Sequence, residues 1–340
     1  MSSESEDGET VNSEWNLGFV QPPGGPYSLL RHQFRSKAWL DPLQLPSPTQ
    51  LTCGRTGKTF NFLLQIYAPP PEDVPQAFHR VVYVFISQQG SHLKAPGAVK
   101  ALRCQLPRSN PYYSPEPPRA SQKLPPSLQA EDLAQATNPD PWQVAQYEAS
   151  LAAGETPADP PGGVHLLKEL ELVVEAEGEG GGATSEEQSH MQRLMRAYES
   201  RRASEGELSE QDMPKELLAD VEANQNQDDR HFAHFAAVVA EAPGQCLRYC
   251  FDEGAEPLWP SRHHTPVPQD IPACQYCGSA RRFEFQVLPQ LLHYMDVDAE
   301  DPEGPDWGCI AVYSCPNSCT PIGKDDQSSY VEEFAWVQPP

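Results

Sequence analysis

The sequence predicts a mostly β protein with minor α structure. It reads as two pseudo-repeated β-rich lobes, with a cysteine knuckle in the C-terminal lobe, joined by an acidic, partly disordered linker. Three observations predict this. Proline occurs 37 times in 340 residues, about twice the average share, and at that density it breaks long helices and crowds loops. Short aromatic and β-branched runs bounded by Gly and Pro recur toward both ends of the chain and thin out in the middle. Two blocks then repeat at one offset: Cys53 with Cys274, Gly57 with Gly278, Phe62 with Phe283, Gln65 with Gln286.

Residues 1–13 form an acidic stretch expected to be disordered. Residues 14–119 make the N-terminal lobe. Within it Phe60–Tyr67 alternates like a half-buried strand, and Val81–Ile86 is a continuous apolar run of strand length, expected to be buried on both faces. Residues 120–227, rich in Pro, Ala, Gln and Glu and including Gly180-Gly181-Gly182, read as linker or disorder. Inside the linker, Leu166–Glu175 ends in alternation and is expected to dock as a strand, and Met191–Arg202 has helical spacing. Residues 228–340 make the C-terminal lobe. It opens on an amphipathic helix over Arg230–Val239, with Phe232, Phe235 and Val239 on one face. His231 and His234 flank that face and are read as helix-surface histidines rather than ligands. Strands follow at Phe283–Leu288, Cys309–Ser314 and Tyr330–Val337.

The net charge of −24 is unevenly spread. Residues 15–119 carry 11 Lys or Arg against 4 Asp or Glu, whereas 151–230 are net −12 and 231–340 net −11. Acidic surface repels a phosphate backbone and attracts basic proteins, so direct nucleic-acid binding is not expected. Plain solubilisation explains the same charge equally well.

Cys274 and Cys277 in Cys-Gln-Tyr-Cys-Gly precede Cys315 and Cys319 in Cys-Pro-Asn-Ser-Cys. Two such pairs on tight turns supply four thiolates to one tetrahedral zinc ion and leave no open position for a substrate. One structural Zn2+ is therefore the expected cofactor. The competing readings are two disulfides or four unrelated buried thiols. The N-terminus is acidic with no apolar stretch, no run reaches the 18 apolar residues of a membrane span, and the nine cysteines are odd in number. Those features suit a reducing compartment, cytoplasm and also nucleus, where clustered cysteines bind metal.

The N-terminal copy of the knuckle differs. Thr56 stands where Cys277 stands, and Ser87 where Cys315 stands. Hydroxyls are poor zinc ligands, so this site reads as lost and Cys53 as a buried apolar residue. Cys104, Cys246 and Cys250 read as core thiols; Cys246 and Cys250, four apart, would share a face if that segment were helical, which leaves a second metal open.

No catalytic or cofactor-binding residues emerge. Gly54–Thr59 ends in Gly-Lys-Thr, but the phosphate-loop spacing requires a glycine at position 52, which is Thr. No nucleophile elbow or His-Glu-x-x-His motif is present. A redox role for Cys274 and Cys277 competes poorly with the second cysteine pair.

Longer motifs carry a family resemblance. Trp39-Leu40-Asp41-Pro42, Leu64–Pro69, Ala77-Phe78-His79-Arg80 and Arg103–Arg108 lie in the first half. Gln245–Tyr249, Pro257–Pro260, Ile271–Cys274, Phe283–Leu292, Asp306-Trp307-Gly308 and Glu332–Trp336 lie in the second. Together these resemble the programmed cell death protein 2 family, in the form without the MYND zinc finger, because residues 105–245 contain no cysteine. Two further departures are the degraded N-terminal knuckle and a shortened loop between Lys37 and Ala38. The resemblance implies a dedicated chaperone that binds a newly made basic small-subunit ribosomal protein and supports 40S assembly and rRNA processing. It implies a monomeric escort with no membrane association and no enzymatic activity. The alternative is a zinc-binding interaction adaptor in nucleus or cytoplasm with no ribosomal client.

Overall fold

The computed structural model describes residues 14–21, 33–34, 39–41, 44–70, 74–110 apart from 88 and 94, 170–178, 196, 230–295, 304–320 and 329–340. Among the described residues there are ten strands: β1 (Asn16–Gln21), β2 (Gln33–Phe34), β3 (Asn61–Tyr67), β4 (His79–Ile86), β5 (Val99–Leu106), β6 (Leu170–Ala176), β7 (Gln245–Tyr249), β8 (Arg282–Val287), β9 (Cys309–Ser314) and β10 (Tyr330–Gln338). The strand that the sequence places in the linker is β6. Helix α1 spans residues 230–241. No helix among the described residues is long and apolar enough to cross a membrane. The acidic 1–13 segment, most of the linker, and the proposed helix at Met191–Arg202 apart from helical Arg196 lie outside the described residues.

The strands close into one barrel in the order β1-β6-β2-β3-β4-β5-β10-β9-β8-β7. Each half supplies an antiparallel run, β2 to β5 in the first and β7 to β10 in the second. The halves share this one sheet through two junctions. At the first, β10 pairs with β5 through Tyr330–Glu333 and then with β9 through Phe334–Gln338. At the second, β1 pairs with both β6 and β7. The leading strands are thus exchanged: β1, from the first half, borders β7, and β6, from the linker, borders β2.

Burial explains the patterning. In β4, Val82, Val84 and Ile86 point into a core shared by both halves, which also holds Phe285, Val287, Ile310, Val312 and Trp307. On the other face, Val81, Tyr83 and Phe85 pack under Trp39, Leu40, Leu51 and Phe60. A strand covered on both sides can alternate no polar residue outward, which is why 81–86 is a continuous apolar run. β9 repeats the arrangement, with Ala311 and Tyr313 packed beside Phe283 and edged by Trp259, Ile271 and Trp336. The Trp-Leu-Asp motif is anchored by polar contacts as well. Tyr83 Oη accepts the Leu40 amide at 2.8 Å, and Tyr330 Oη donates to the Asp41 carbonyl at 2.9 Å. On α1, Phe235 and Val239 are buried against Leu288 with Phe232 beside them, whereas His231 is half-buried and His234 exposed.

Candidate metal centre

Both knuckles are built the same way. In the N-terminal copy, the Cys53 amide donates to the Lys58 carbonyl at 2.8 Å and the Gly57 amide to the Cys53 carbonyl at 2.9 Å. In the C-terminal copy, Cys274 donates to Ser279 at 2.9 Å and Gly278 to Cys274 at 2.8 Å. Gly57 and Gly278 both hold positive φ, 66° and 74°, where a β-carbon is disfavoured. The strands that follow carry a matching irregularity: register shifts between Phe62 and Leu64 against β4, and between Phe283 and Phe285 against β9. Because Phe85 opposes Phe62 as Tyr313 opposes Phe283, Ser87 and Ser91 occupy the sequence positions of Cys315 and Cys319.

In the C-terminal copy the loop before β8 and the loop after β9 bring Cys274, Cys277, Cys315 and Cys319 together, with all four sulfurs within 4.8 Å of one another. The Cys277–Cys315 and Cys315–Cys319 sulfur separations are 3.7 and 3.8 Å. A tetrahedron with metal–sulfur bonds of about 2.3 Å sets its sulfurs about 3.8 Å apart, so the donor set fits a closed four-thiolate site. All nine cysteines are free thiols. Cys274 and Cys315 are buried, Cys319 half-buried and Cys277 exposed. Hydrogen bonds from Ser279 and Asn317 bring the Cys277 thiol down to about 5. Burial and the neighbouring thiols push Cys315 and Cys319 up. Four thiolates cannot share one small volume without a cation, and a divalent metal removes that conflict.

Polar side chains surround this cluster. The Glu333 carboxylate accepts Arg103 Nε at 2.7 Å, Arg281 Nε at 2.9 Å and the Cys315 amide at 3.2 Å. Asn317 Nδ2 reaches Cys277 Sγ at 3.5 Å and Ser279 Oγ at 2.9 Å. Sequence reasoning missed Arg103, Arg281 and Glu333. The available signal was for Arg103 alone, a charged residue between Leu102 and Cys104, since a buried charge requires a partner.

The other cysteines do not gather. Cys246 lies in β7 and Cys250 just beyond it, so no helix face unites them; both are buried. Cys53 is buried as expected, but its thiol is not an inert apolar group. Burial raises its pKa, yet hydrogen bonds from Thr56, Arg55 and Ser87 bring it below the ordinary value. One thiol and nearby hydroxyls remain a poor zinc ligand set. Among the described residues, the four C-terminal cysteines are the only cluster suited to a metal.

Comparison with known proteins supplies independent findings. Residues 14–120 match the family model described as "Programmed cell death protein 2, N-terminal domain", and residues 229–339 match "Programmed cell death protein 2, C-terminal putative domain". The chain is 33% identical to programmed cell death protein 2 of Rattus norvegicus, across 95% of each chain. It is 31% identical to the programmed cell death protein 2-like protein of Gallus gallus, across 44% of this chain and 38% of that one. It is 28% identical to the "Probable 20S rRNA accumulation protein 4" of Schizosaccharomyces pombe, across 32% of this chain and 28% of that one. No solved structure matches the chain significantly.

Proposed function

Because the chain belongs to the programmed cell death protein 2 family, we propose that it is a zinc-stapled escort. In this reading it binds a newly made, basic small-subunit ribosomal protein and supports 40S assembly. It works by binding rather than by catalysis, as a monomer, in cytoplasm and nucleus. The observation that carries this reading is family membership across 95% of the chain. The printed name of the Schizosaccharomyces pombe relative, which ties that protein to 20S rRNA accumulation, points toward ribosome synthesis. The physical logic lies in charge. Free ribosomal proteins are rich in Lys and Arg, and the strongly acidic linker and C-terminal half would attract and screen them.

Zinc is the metal proposed for the four cysteines, on their thiolate chemistry and their separations. With four protein ligands it stabilises the fold and leaves no position for substrate. The test is capture of the client. Purified protein should bind a basic small-subunit ribosomal protein at low salt and hold it in solution. Association should slow as ionic strength rises, because charge steering is screened, while the formed complex persists on its apolar contacts. Neither binding nor solubilisation at low salt would refute the escort role.

A further inference from the structure

The four cysteines belong to the C-terminal half, but part of their surroundings does not. Arg103 and Gln105 lie on β5 of the N-terminal half. Arg103 Nη2 donates to the Cys319 carbonyl at 2.7 Å, and Gln105 Nε2 donates to the Ser318 carbonyl at 2.7 Å. Arg103 Nη1 also donates to Gln105 Oε1, which fixes the amide with its nitrogen toward Ser318. Ser318 is one of the two non-glycine residues at positive φ, 45°, among those described. The turn between Cys315 and Cys319 is therefore held in an uncommon backbone conformation, and its two final carbonyls are gripped from the other half.

The first knuckle is held in parallel fashion. Arg281 Nη1 donates to the carbonyls of Pro272 and Ala273, immediately before Cys274, at 2.6 and 3.0 Å. Glu333 joins the two arginines, accepting Arg103 Nε on one oxygen and Arg281 Nε on the other, and it also takes the Cys315 amide. The three side chains are between 0% and 7% exposed. Two guanidinium groups and one carboxylate leave a net positive charge beside the cluster. Four thiolates around a divalent cation carry a net charge of −2, so the sign is the one that favours a loaded site.

We propose that Arg103 and Gln105 are positioning residues for the metal centre, so that metal affinity depends on the grip of these two β5 side chains from the N-terminal half. The inference rests on the metal reading above. It also has a converse: if β5 supports the metal, the metal supports the β5–β10 junction by the same coupling free energy.

The experiment measures zinc release from the full chain to a chromogenic chelator, for the wild type and four variants. Cys277→Ser removes a ligand and tests the metal reading itself. Arg103→Gln and Gln105→Leu remove the grip on the second turn. The double variant Arg80→Met/Glu284→Met removes another fully buried pair between the halves, one anchored at the Ala68 carbonyl and the Phe251 ring. Stabilities are matched with denaturant before comparison. Arg103→Gln and Gln105→Leu are expected to release zinc roughly ten- to a hundredfold faster than wild type, with the double variant near the wild-type rate. Should Arg103→Gln fold poorly, Gln105→Leu carries the comparison alone. Equal release from wild type and Gln105→Leu, or equal acceleration in the double variant, would overturn the inference and leave the metal reading intact. A wild type that takes up no zinc would overturn both, and is recognised by its identity with Cys277→Ser.

Discussion

At the scale of single residues, the structure joins its halves with buried charge. Arg80 on β4 makes a bidentate contact with Glu284 on β8, and neither side chain is exposed. Arg80 also donates to the Ala68 carbonyl at 2.9 Å and packs over the Phe251 ring. Glu284 falls inside the register shift of β8. Breaking such a pair from one side strands a charge in the interior. Arg80→Met is therefore expected to destabilise by about 3–5 kcal/mol in urea unfolding, and adding Glu284→Met should recover most of the loss. If the double variant is no more stable than the single, the stranded charge is not the cause. The gathering of the four cysteines was legible in the sequence because their spacing is local: two residues within one pair and three within the other. Arg103 and Glu333 were not, because their positions are 230 residues apart and nothing in either strand names its partner.

At the scale of elements, legibility followed burial. β3, β4, β8, β9 and β10 announce themselves by alternation or continuous apolar runs, and β6 by the one alternating island in the linker. β5 and β7 do not. Val-Lys-Ala-Leu-Arg-Cys-Gln-Leu and Gln-Cys-Leu-Arg-Tyr mix charged and apolar side chains on buried strands, and the carboxylates that pair with Arg103 and Arg248 lie far along the chain. β1 carries Gly18, where an added β-carbon would come within 2.9 Å of the Leu247 side chain, so close packing replaced a strand-forming residue. The repeated knuckle gives a paired prediction. Gly57→Ala and Gly278→Ala meet no neighbouring atom within 4 Å, so each should cost only backbone strain, about 1–2 kcal/mol by thermal unfolding. Zinc release should quicken for Gly278→Ala alone. Equal effects on release would mean that the N-terminal knuckle also bears on the metal. The docking of β6 has its own test. Leu172 is 2% exposed in the shared core, and Leu172→Ala should destabilise by about 2–5 kcal/mol; a change below about 0.5 kcal/mol, the range of ordinary surface substitutions, would mean that β6 adds little.

At the scale of the whole molecule, two family matches sit on one barrel. The core holding Val82 and Val84 also holds Phe285 and Val312, and neither half has a complete sheet without a strand from elsewhere. Denaturation should therefore give a single transition, seen together by circular dichroism and by tryptophan fluorescence. A fragment of residues 228–340 lacks β1 and β5, leaves the edges of β7 and β10 unpaired, and should not fold alone; a well-dispersed amide spectrum from it would contradict the shared-core description. The exchanged leading strands also impose an order in time. Asn16 must wait for Tyr249, and Cys104 for Tyr330, more than two hundred residues of synthesis in each case. While the ribosome is still making the second half, β3, β4 and β5 can form their hairpins and β6 can pair with one side of β1, but the other side of β1 and one side of β5 have nothing to pair with. Such contacts close late and slowly, and open strand edges invite wrong partners in the interval. A protein proposed to shelter a newborn client thus spends its own youth exposed, and slowing translation between the halves should lower its soluble yield more than slowing it within either one.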